Sequence, residues 1–144
     1  MKILIINGPN INMLGLREPE IYGNKTYAEL LEFIRAAADE LGVEAELFQS
    51  NSEGAIIDAI QSACGKIDGI VINPAAYTHT SIAIPDALKA VAIPAVEVHL
   101  TDINTREPYR RVSFTSDACI KTITGEGFSG YSTAMSTLAE AFGR

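Results

Sequence analysis

Cysteine, positive charge and long apolar runs are all scarce in this sequence of 144 residues. The two cysteines, Cys64 and Cys119, form neither a metal-binding spacing nor a disulfide framework, which favours a reduced, cytoplasmic setting. The longest apolar runs are only a few residues, far short of a membrane span. Polar residues follow Ile6 at once, so we expect no signal peptide.

Acidic residues outnumber basic ones, 18 against 11, which gives a net charge of −7 and a pI near 4.7. A general nucleic-acid-binding surface is therefore not expected, because such a surface must be basic to displace counterions. Hydrophobic residues make up 47% of the chain, and this excludes a disordered or low-complexity protein. The length predicts a single domain spanning residues 1–144.

Segments typical of strands and helices alternate along the chain. Continuous aliphatic runs at 3–6 and 69–72 are typical of strands buried on both faces. Further strands are predicted at 43–49, 95–100 and 120–123. Four helices are predicted. The first spans residues 26–41, the second is capped by Ser50-x-x-Glu53, the third lies between residues 81 and 91, and the last spans residues 131–142.

This alternation predicts an α/β fold with a parallel sheet and right-handed crossovers. Five strands fit a single-domain, flavodoxin-like three-layer sandwich with the strand order 2-1-3-4-5. In such sheets ligands bind beyond the carboxyl ends of the strands, near the switch in strand order. The segments after Ile6, Ile72 and Val98 are therefore the first places to look for a site.

The first of these segments is long for a strand-to-helix connection, and we interpret residues 11–25 as a lid loop. It contains Arg17 and Tyr22, which a turn at Pro19 can bring together. A phenol has a reference pKa of about 10, and a nearby guanidinium favours the tyrosinate. The alternative is a surface loop in which Tyr22 packs on the domain and Arg17 is solvated.

The second segment, residues 73–81, combines small residues with the amide of Asn73, the imidazole of His79 and several hydroxyls. This composition favours ligand binding close to the backbone. A simpler role is also open, in which Thr80 or Ser81 caps the next helix.

The third segment contains Glu97 and His99, which period-two alternation places on the same side of a strand. A carboxylate in a strand buried on both faces is costly unless it is paired. A histidine at the end of such a strand can act as a general acid oriented by the carboxylate, although a structural pair is equally open. Arginines 106, 110 and 111 follow, and they form either a solvated basic turn or an anion clamp.

Other motifs for cofactors and metals are weak. Residues 125–130 match G-x-G-x-x-G, but too few residues follow for a dinucleotide-binding unit, so we interpret them as a turn leading into the last helix. Two histidines without a matching acidic trio predict no metal site.

Taken together, these segments resemble type II 3-dehydroquinate dehydratase over essentially the whole chain. The matching segments are Asn7-Gly8-Pro9-Asn10, Arg17-Glu18-Pro19 with Tyr22-Gly23, residues 73–81, Glu97-Val98-His99, and Arg106-Glu107 with Arg110. Their shared order and spacing make the resemblance specific. It implies a hydro-lyase of the shikimate pathway of aromatic amino acid biosynthesis. Such an enzyme converts 3-dehydroquinate to 3-dehydroshikimate by anti elimination through an enolate, with no metal or organic cofactor.

The resemblance also implies roles for the matching residues. Tyr22 is the base that removes the C2 proton, and Arg17 favours its ionised form. His99 protonates the departing C1 hydroxyl, oriented by Glu97. Asn10 holds a water near the enolate oxygen, and Asn73, His79 and Arg110 bind substrate hydroxyls. Leu100 and Thr101 hold the substrate carboxylate. The resemblance further implies a dodecamer built from trimers, in which Asp86 reaches the site of a neighbouring subunit.

Two positions depart from the family pattern. Thr101 stands where the family usually has serine, which keeps the hydroxyl and adds a methyl beside the substrate carboxylate. Asp102 stands where asparagine is common, and its charge opposes anion binding if it faces the site. Two other functions stay open from sequence: a non-catalytic flavodoxin-like binding module, and a degenerate homologue retained for assembly or binding.

Overall fold

A five-stranded parallel sheet, in the order β2-β1-β3-β4-β5, forms the centre of the protein. The computed structural model describes residues 1–16, 20 and 24–143. The strands are β1 (Lys2–Asn7), β2 (Glu44–Gln49), β3 (Gly69–Asn73), β4 (Ala95–His99) and β5 (Lys121–Thr124). The predicted flavodoxin-like strand order is therefore confirmed. Arg17 and Tyr22 lie outside the described residues.

Helices cover both faces of the sheet and complete three layers. They are α1 (Tyr27–Leu41), α2 (Glu53–Ser62), α3 (Ala83–Val91) and α4 (Ser129–Ala141). Alternate residues of β1 enter opposite layers: Ile3 and Ile5 pack with α1 and α4, while Leu4 and Ile6 pack with α2 and α3. This is why the strand is a continuous apolar run rather than an alternating one.

The helix ends follow the predicted capping signals with one correction. The Thr26 hydroxyl accepts a hydrogen bond from the Glu29 amide, and α1 ends at Gly42, whose φ of 69° suits glycine. Ser50, predicted as the cap of the second helix, is not the cap. Ser52 accepts from the Ala55 amide instead, while the Ser50 hydroxyl accepts from the Ser52 amide in the preceding turn.

The long connection between β4 and β5 is irregular. It contains three short 3₁₀ helices, Ile103–Thr105, Pro108–Arg110 and Thr115–Ala118. It runs along the carboxyl edge of the sheet, where β1, β3 and β4 end in Asn7, Asn73 and His99. Polar side chains thus meet at this edge. Within the described residues, none of the helices is long and apolar enough to cross a membrane.

Gly8 lets the loop after β1 touch the loop after β3. Its amide donates to the Asn73 carbonyl at 2.8 Å, and a Cβ at this position would lie 2.6 Å from the Pro74 carbonyl oxygen. Real Cβ atoms do not approach backbone this closely, so a side chain here must push the two loops apart.

Gly8→Ala is therefore expected to lower the free energy of unfolding by about 1 to 3 kcal/mol, the usual cost of overpacking. Gly54→Ala is the matched control, because a Cβ there meets only the Ser52 hydroxyl oxygen at 3.9 Å and the position is inside α2. The control should gain up to about 1 kcal/mol from helix propensity. Urea unfolding of both variants measures the difference, and equal midpoints would contradict the close approach.

Candidate active site

A cavity of about 140 Å³ lies at the carboxyl ends of β1, β3 and β4. This is where an open parallel sheet is expected to bind a ligand. Its lining combines polar and cationic side chains with apolar ones. The lining residues are Pro9, Asn10, Ile11, Leu14, Asn73, Ala75, Ala76, His79, His99, Leu100, Thr101, Ile103, Arg106 and Arg110.

Glu97 and His99 form a buried pair at the end of β4. His99 Nε2 lies 2.7 Å from Glu97 Oε2, and the histidine is 5% exposed and the glutamate 0%. A carboxylate only accepts hydrogen bonds, so Nε2 carries a proton and donates a hydrogen bond to Glu97. Nδ1 is then the ring nitrogen left for the cavity that His99 lines. The pair that sequence periodicity predicted is confirmed as a contact.

The Glu97 carboxylate has a second partner in the β4–β5 connection. The Ser113 hydroxyl lies 2.8 Å from Oε1 and 3.0 Å from Oε2. Burial, together with the negative charge of Glu97, raises the pKa of the nearby Cys119 thiol to about 12. Cys119 therefore stays protonated at neutral pH and is a poor nucleophile.

His79 sits opposite this pair in the loop after β3. Its Nδ1 lies 2.7 Å from the Val112 carbonyl oxygen, which only accepts, so Nδ1 is protonated. Burial lowers the pKa of His79, which favours the neutral ring. In that tautomer Nε2 is an acceptor, suited to a ligand hydroxyl.

Asn73 is held by a buried hydrogen-bond network behind the cavity. Tyr131, which is 0% exposed, donates to Asn7 Oδ1 at 2.6 Å and accepts from Asn73 Nδ2 at 3.1 Å. Asn73 Oδ1 accepts from the Ala75 amide. One N–H of the Asn73 amide group thus remains for a ligand. Burial raises the pKa of Tyr131 well above its usual value, so its hydroxyl stays neutral.

Asn10 lines the cavity from the loop after β1. Its φ is 69°, in the left-handed region that asparagine tolerates better than most residues. The backbone N–H of Asn10 donates to Asn51 Oδ1 at 3.0 Å, which connects this loop to the segment after β2. Gln49 donates to the same loop at the Gly8 carbonyl.

Positive charge concentrates on the wall formed by the β4–β5 connection. Arg106 and Arg110 both line the cavity, and Arg110 Nε lies 2.7 Å from Glu107 Oε2. Asp102 is not among the lining residues; its carboxylate accepts from the Asn104 amide and caps the next 3₁₀ helix. The arginines thus supply a cationic surface in a protein of net charge −7.

The structure brings most of the predicted site residues together. The cavity is lined by Asn10, Asn73, His79, His99, Leu100, Thr101 and Arg110, with Glu97 behind His99. Asp86 is exposed on α3 and does not line the cavity. In the part of the chain that the structure describes, no three His, Cys, Asp or Glu side chains are grouped to hold a metal ion.

Sequence reasoning missed three residues that support this site: Ser113, Tyr131 and Asn51. Each acts through a hydrogen bond to a residue far away in the chain, such as the 124-residue separation between Tyr131 and Asn7. Only Ser113, between Val112 and Phe114, is a polar residue with apolar neighbours. Asn51 lies between two serines and Tyr131 between Gly130 and Ser132, so neither has this signal. In the Gly-rich stretch, residues 125–128 form the turn before α4 and residues 129–130 begin the helix, which confirms the predicted turn and helix entry.

Comparisons with known proteins show the family to which this chain belongs. A profile of the family described as Dehydroquinase class II matches residues 1–139. The chain is 60% identical over 131 residues to a 3-dehydroquinate dehydratase from Clostridium acetobutylicum, covering 91% of each chain. It is 53% identical over 140 residues to a catabolic 3-dehydroquinase from Aspergillus terreus, covering 97% of this chain and 92% of that one.

A solved structure shows the same fold. The type II dehydroquinase from Butyrivibrio crossotus superimposes with a TM-score of 0.94 at 50% identity, covering 96% of this chain and 97% of that one. These likenesses extend over nearly the full length of the chain. This chain belongs to the class II dehydroquinase family.

Proposed function

We propose that this protein converts 3-dehydroquinate to 3-dehydroshikimate by anti elimination of water through an enolate. The observation that carries the proposal is the buried Glu97–His99 pair, 2.7 Å apart, which opens into a cavity lined by amide, imidazole, hydroxyl and guanidinium groups. Such an elimination needs a base, an acid and stabilisation of an enolate. The described residues support the acid and the binding groups.

In the proposed first step, the phenolate of Tyr22 removes a proton from C2, next to the ketone. Arg17 lowers the cost of holding the phenolate near neutral pH, because a guanidinium favours the charged form of an adjacent phenol. The electrons left by the proton move onto the ketone oxygen and form the enolate. Asn10 holds a water beside that oxygen, which stabilises the developing charge. Residues 11–25, which contain Tyr22 and Arg17, act as the lid.

In the second step, the enolate collapses and the C1–oxygen bond breaks. His99, as the doubly protonated imidazolium, donates its Nδ1 proton to the departing hydroxyl, which leaves as water, and the ring keeps the Nε2 proton bonded to Glu97. Glu97 supports this step by accepting the Nε2–H bond and stabilising the imidazolium. Water leaves, and the product carries a carbon–carbon double bond conjugated with the ketone.

Substrate binding uses the rest of the cavity wall. Asn73, His79 and Arg110 hold hydroxyl groups, while the backbone at Leu100 and Thr101, with the Thr101 hydroxyl, holds the carboxylate. Arg106 and Arg110 line the cavity and attract the anion despite the net charge of −7. The side-chain carboxylate of Asp102 accepts from the Asn104 amide and caps a 3₁₀ helix, so it is engaged away from the proposed binding site for the substrate carboxylate.

We further propose that residues 1–144 form one domain of a cytoplasmic dodecamer built from trimers, in which Asp86 reaches a neighbouring site. Asp86 is exposed on α3, and Ile82 beside that helix is 55% exposed. Ile82 and Asp86 are four residues apart, so the two side chains are neighbours on one face and both are accessible to a neighbouring subunit. The free cysteines, Cys64 and Cys119, support a reducing location.

The test is incubation with 3-dehydroquinate while the absorbance of the conjugated enone is followed, with EDTA present. We expect the rate of the absorbance increase to be proportional to enzyme concentration and unchanged by EDTA. Without any rise in absorbance, the dehydratase function fails and the degenerate-homologue alternative stands. A rise that EDTA abolishes would contradict the metal-free mechanism while leaving the reaction itself in place.

A further inference from the structure

The buried carboxylate of Glu97 needs donors, because an ionised group removed from water is costly unless its oxygens are hydrogen-bonded. Glu97 is 0% exposed and lies between β3 and β5 in the sheet register. Among the described residues, its hydrogen bonds come from His99 Nε2 and the Ser113 hydroxyl. Ser113 is thus the second of two groups that stabilise the carboxylate.

The hydrogen-bond directions show how Ser113 is used. Its Oγ accepts from the Ser116 amide at 3.1 Å. An N–H only donates, so the single hydroxyl hydrogen of Ser113 is free to point at Glu97, 2.8 Å from Oε1 and 3.0 Å from Oε2. The hydroxyl is therefore held as a donor by its own acceptor contact.

The residues on either side of Ser113 are bonded to the loop after β3, which contributes His79 to the cavity. The Val112 carbonyl accepts from His79 Nδ1 at 2.7 Å, and the Phe114 amide donates to the Thr78 carbonyl at 3.0 Å. Three consecutive residues of the β4–β5 connection thus bond to His79, Glu97 and Thr78. Ser113 lies where the acid pair and the substrate-binding loop are joined.

We propose that Ser113 is a positioning residue for the acid step, holding the Glu97 carboxylate in the orientation that directs His99 Nδ1 into the cavity. This inference rests on the proposed function, in which His99 protonates the leaving hydroxyl. Without the Ser113 donor, Oε1 loses its partner and the carboxylate can rotate about its side-chain bonds. The His99 ring then spends less time aimed at the substrate, which slows protonation without weakening binding.

Three variants test this role: Ser113→Ala removes the hydroxyl, Ser113→Thr keeps it, and Ser116→Ala is the matched control in the same connection. Ser116→Ala removes the hydrogen bond that the Ser116 hydroxyl donates to the Ser113 carbonyl at 3.0 Å, but retains the backbone amide that donates to Ser113 Oγ. It therefore tests the loss of a hydroxyl contact in this connection that leaves the Ser113–Glu97 bond in place. For Ser113→Ala we expect kcat to fall about tenfold, the effect of losing one charge-assisted hydrogen bond, with KM within about twofold. Ser113→Thr should recover most of kcat, and Ser116→Ala should match the wild type.

A second readout follows the enolate directly. In D₂O, slower protonation of the leaving group gives the enolate more time to return to substrate. Deuterium at C2 of recovered 3-dehydroquinate, counted per turnover, should therefore rise in Ser113→Ala and not in Ser116→Ala. A variant that had merely lost folded protein would lower both exchange and turnover and leave their ratio unchanged.

Further results would overturn the proposal. One is a normal kcat in folded Ser113→Ala, and another is an equal loss in Ser113→Thr. A third is an undiminished effect of Ser113→Ala in a His99→Ala background, since a residue acting through His99 has nothing left to position there.

A nuclear magnetic resonance readout is independent of turnover: the His99 Nε2–H signal should shift in Ser113→Ala and stay unchanged in Ser116→Ala. If the wild type fails to dehydrate the substrate, the proposed function fails, while an unmoved signal overturns the positioning role itself.

Discussion

Replacing Tyr22 by phenylalanine is expected to lower kcat by about 10³- to 10⁴-fold, which is the upper range for loss of a general base. The substitution removes one oxygen and keeps the aromatic ring, so the hydroxyl is the only group lost. KM and the thermal unfolding midpoint should therefore change little. Steady-state kinetics and a thermal melt on the same preparation measure both quantities.

The sharper measurement is exchange of the C2 proton. In D₂O, an enzyme lacking its base cannot form the enolate, so recovered 3-dehydroquinate should carry no more deuterium than a sample without enzyme. Tyr109→Phe is the matched control, because Tyr109 is 67% exposed and does not line the cavity. That control should exchange and turn over like the wild type. A kcat within threefold of normal in Tyr22→Phe would assign the base to another group.

The fold could be predicted because its signals are local and repeated. A continuous apolar run such as 3–6 must be buried on both faces, and that requires helices above and below a parallel sheet. The capping hydroxyl of Thr26 and the left-handed Gly42 mark both ends of α1. The cap of α2 was misplaced by two residues because Ser50 and Ser52 are both serines with acceptor hydroxyls, and only the turn geometry decides between them.

Part of the site could be predicted for the same reason. Strand periodicity places Glu97 and His99 on one side of β4, and a buried carboxylate requires a partner. The atoms that meet depend on the side-chain torsions, so the assignment of His99 Nε2 to Glu97 and Nδ1 to the cavity required the structure. The loop after β3 has both of the roles considered from the sequence. The Ser81 hydroxyl accepts from the Ile84 amide at the start of α3, while Asn73 and His79 line the cavity.

The supporting residues could not be predicted from local patterns. Ser113 reaches Glu97 because an irregular connection with three short 3₁₀ helices folds back along the sheet edge. No periodicity governs such a segment, so its path depends on tertiary contacts. Tyr131 is similar: its position on α4 looks like that of an ordinary core residue, and only the packing of α4 against β3, β4 and β5 brings its hydroxyl to Asn7 and Asn73.

Replacing His99 is expected to separate the two steps of the reaction. His99→Ala should lower kcat by about 10²- to 10⁴-fold, the range for loss of a general acid, because the hydroxyl must then leave without a proton from the enzyme. The proposed base, Tyr22, is untouched, so we expect the enolate to form in this variant. Deuterium should therefore enter C2 of recovered substrate although little product appears, the reverse of the result for Tyr22→Phe.

Alanine at this position also leaves Glu97 with one donor, Ser113, inside the sheet. An underbonded buried carboxylate destabilises a fold, so His99→Gln is the companion variant: its amide N–H can donate to Glu97, and it has no acidic proton for a leaving group. Both variants should lose turnover and keep exchange, with His99→Gln unfolding at the higher temperature. If His99→Gln turned over like the wild type, the proton would come from water or another side chain, and the pair at the end of β4 would be structural.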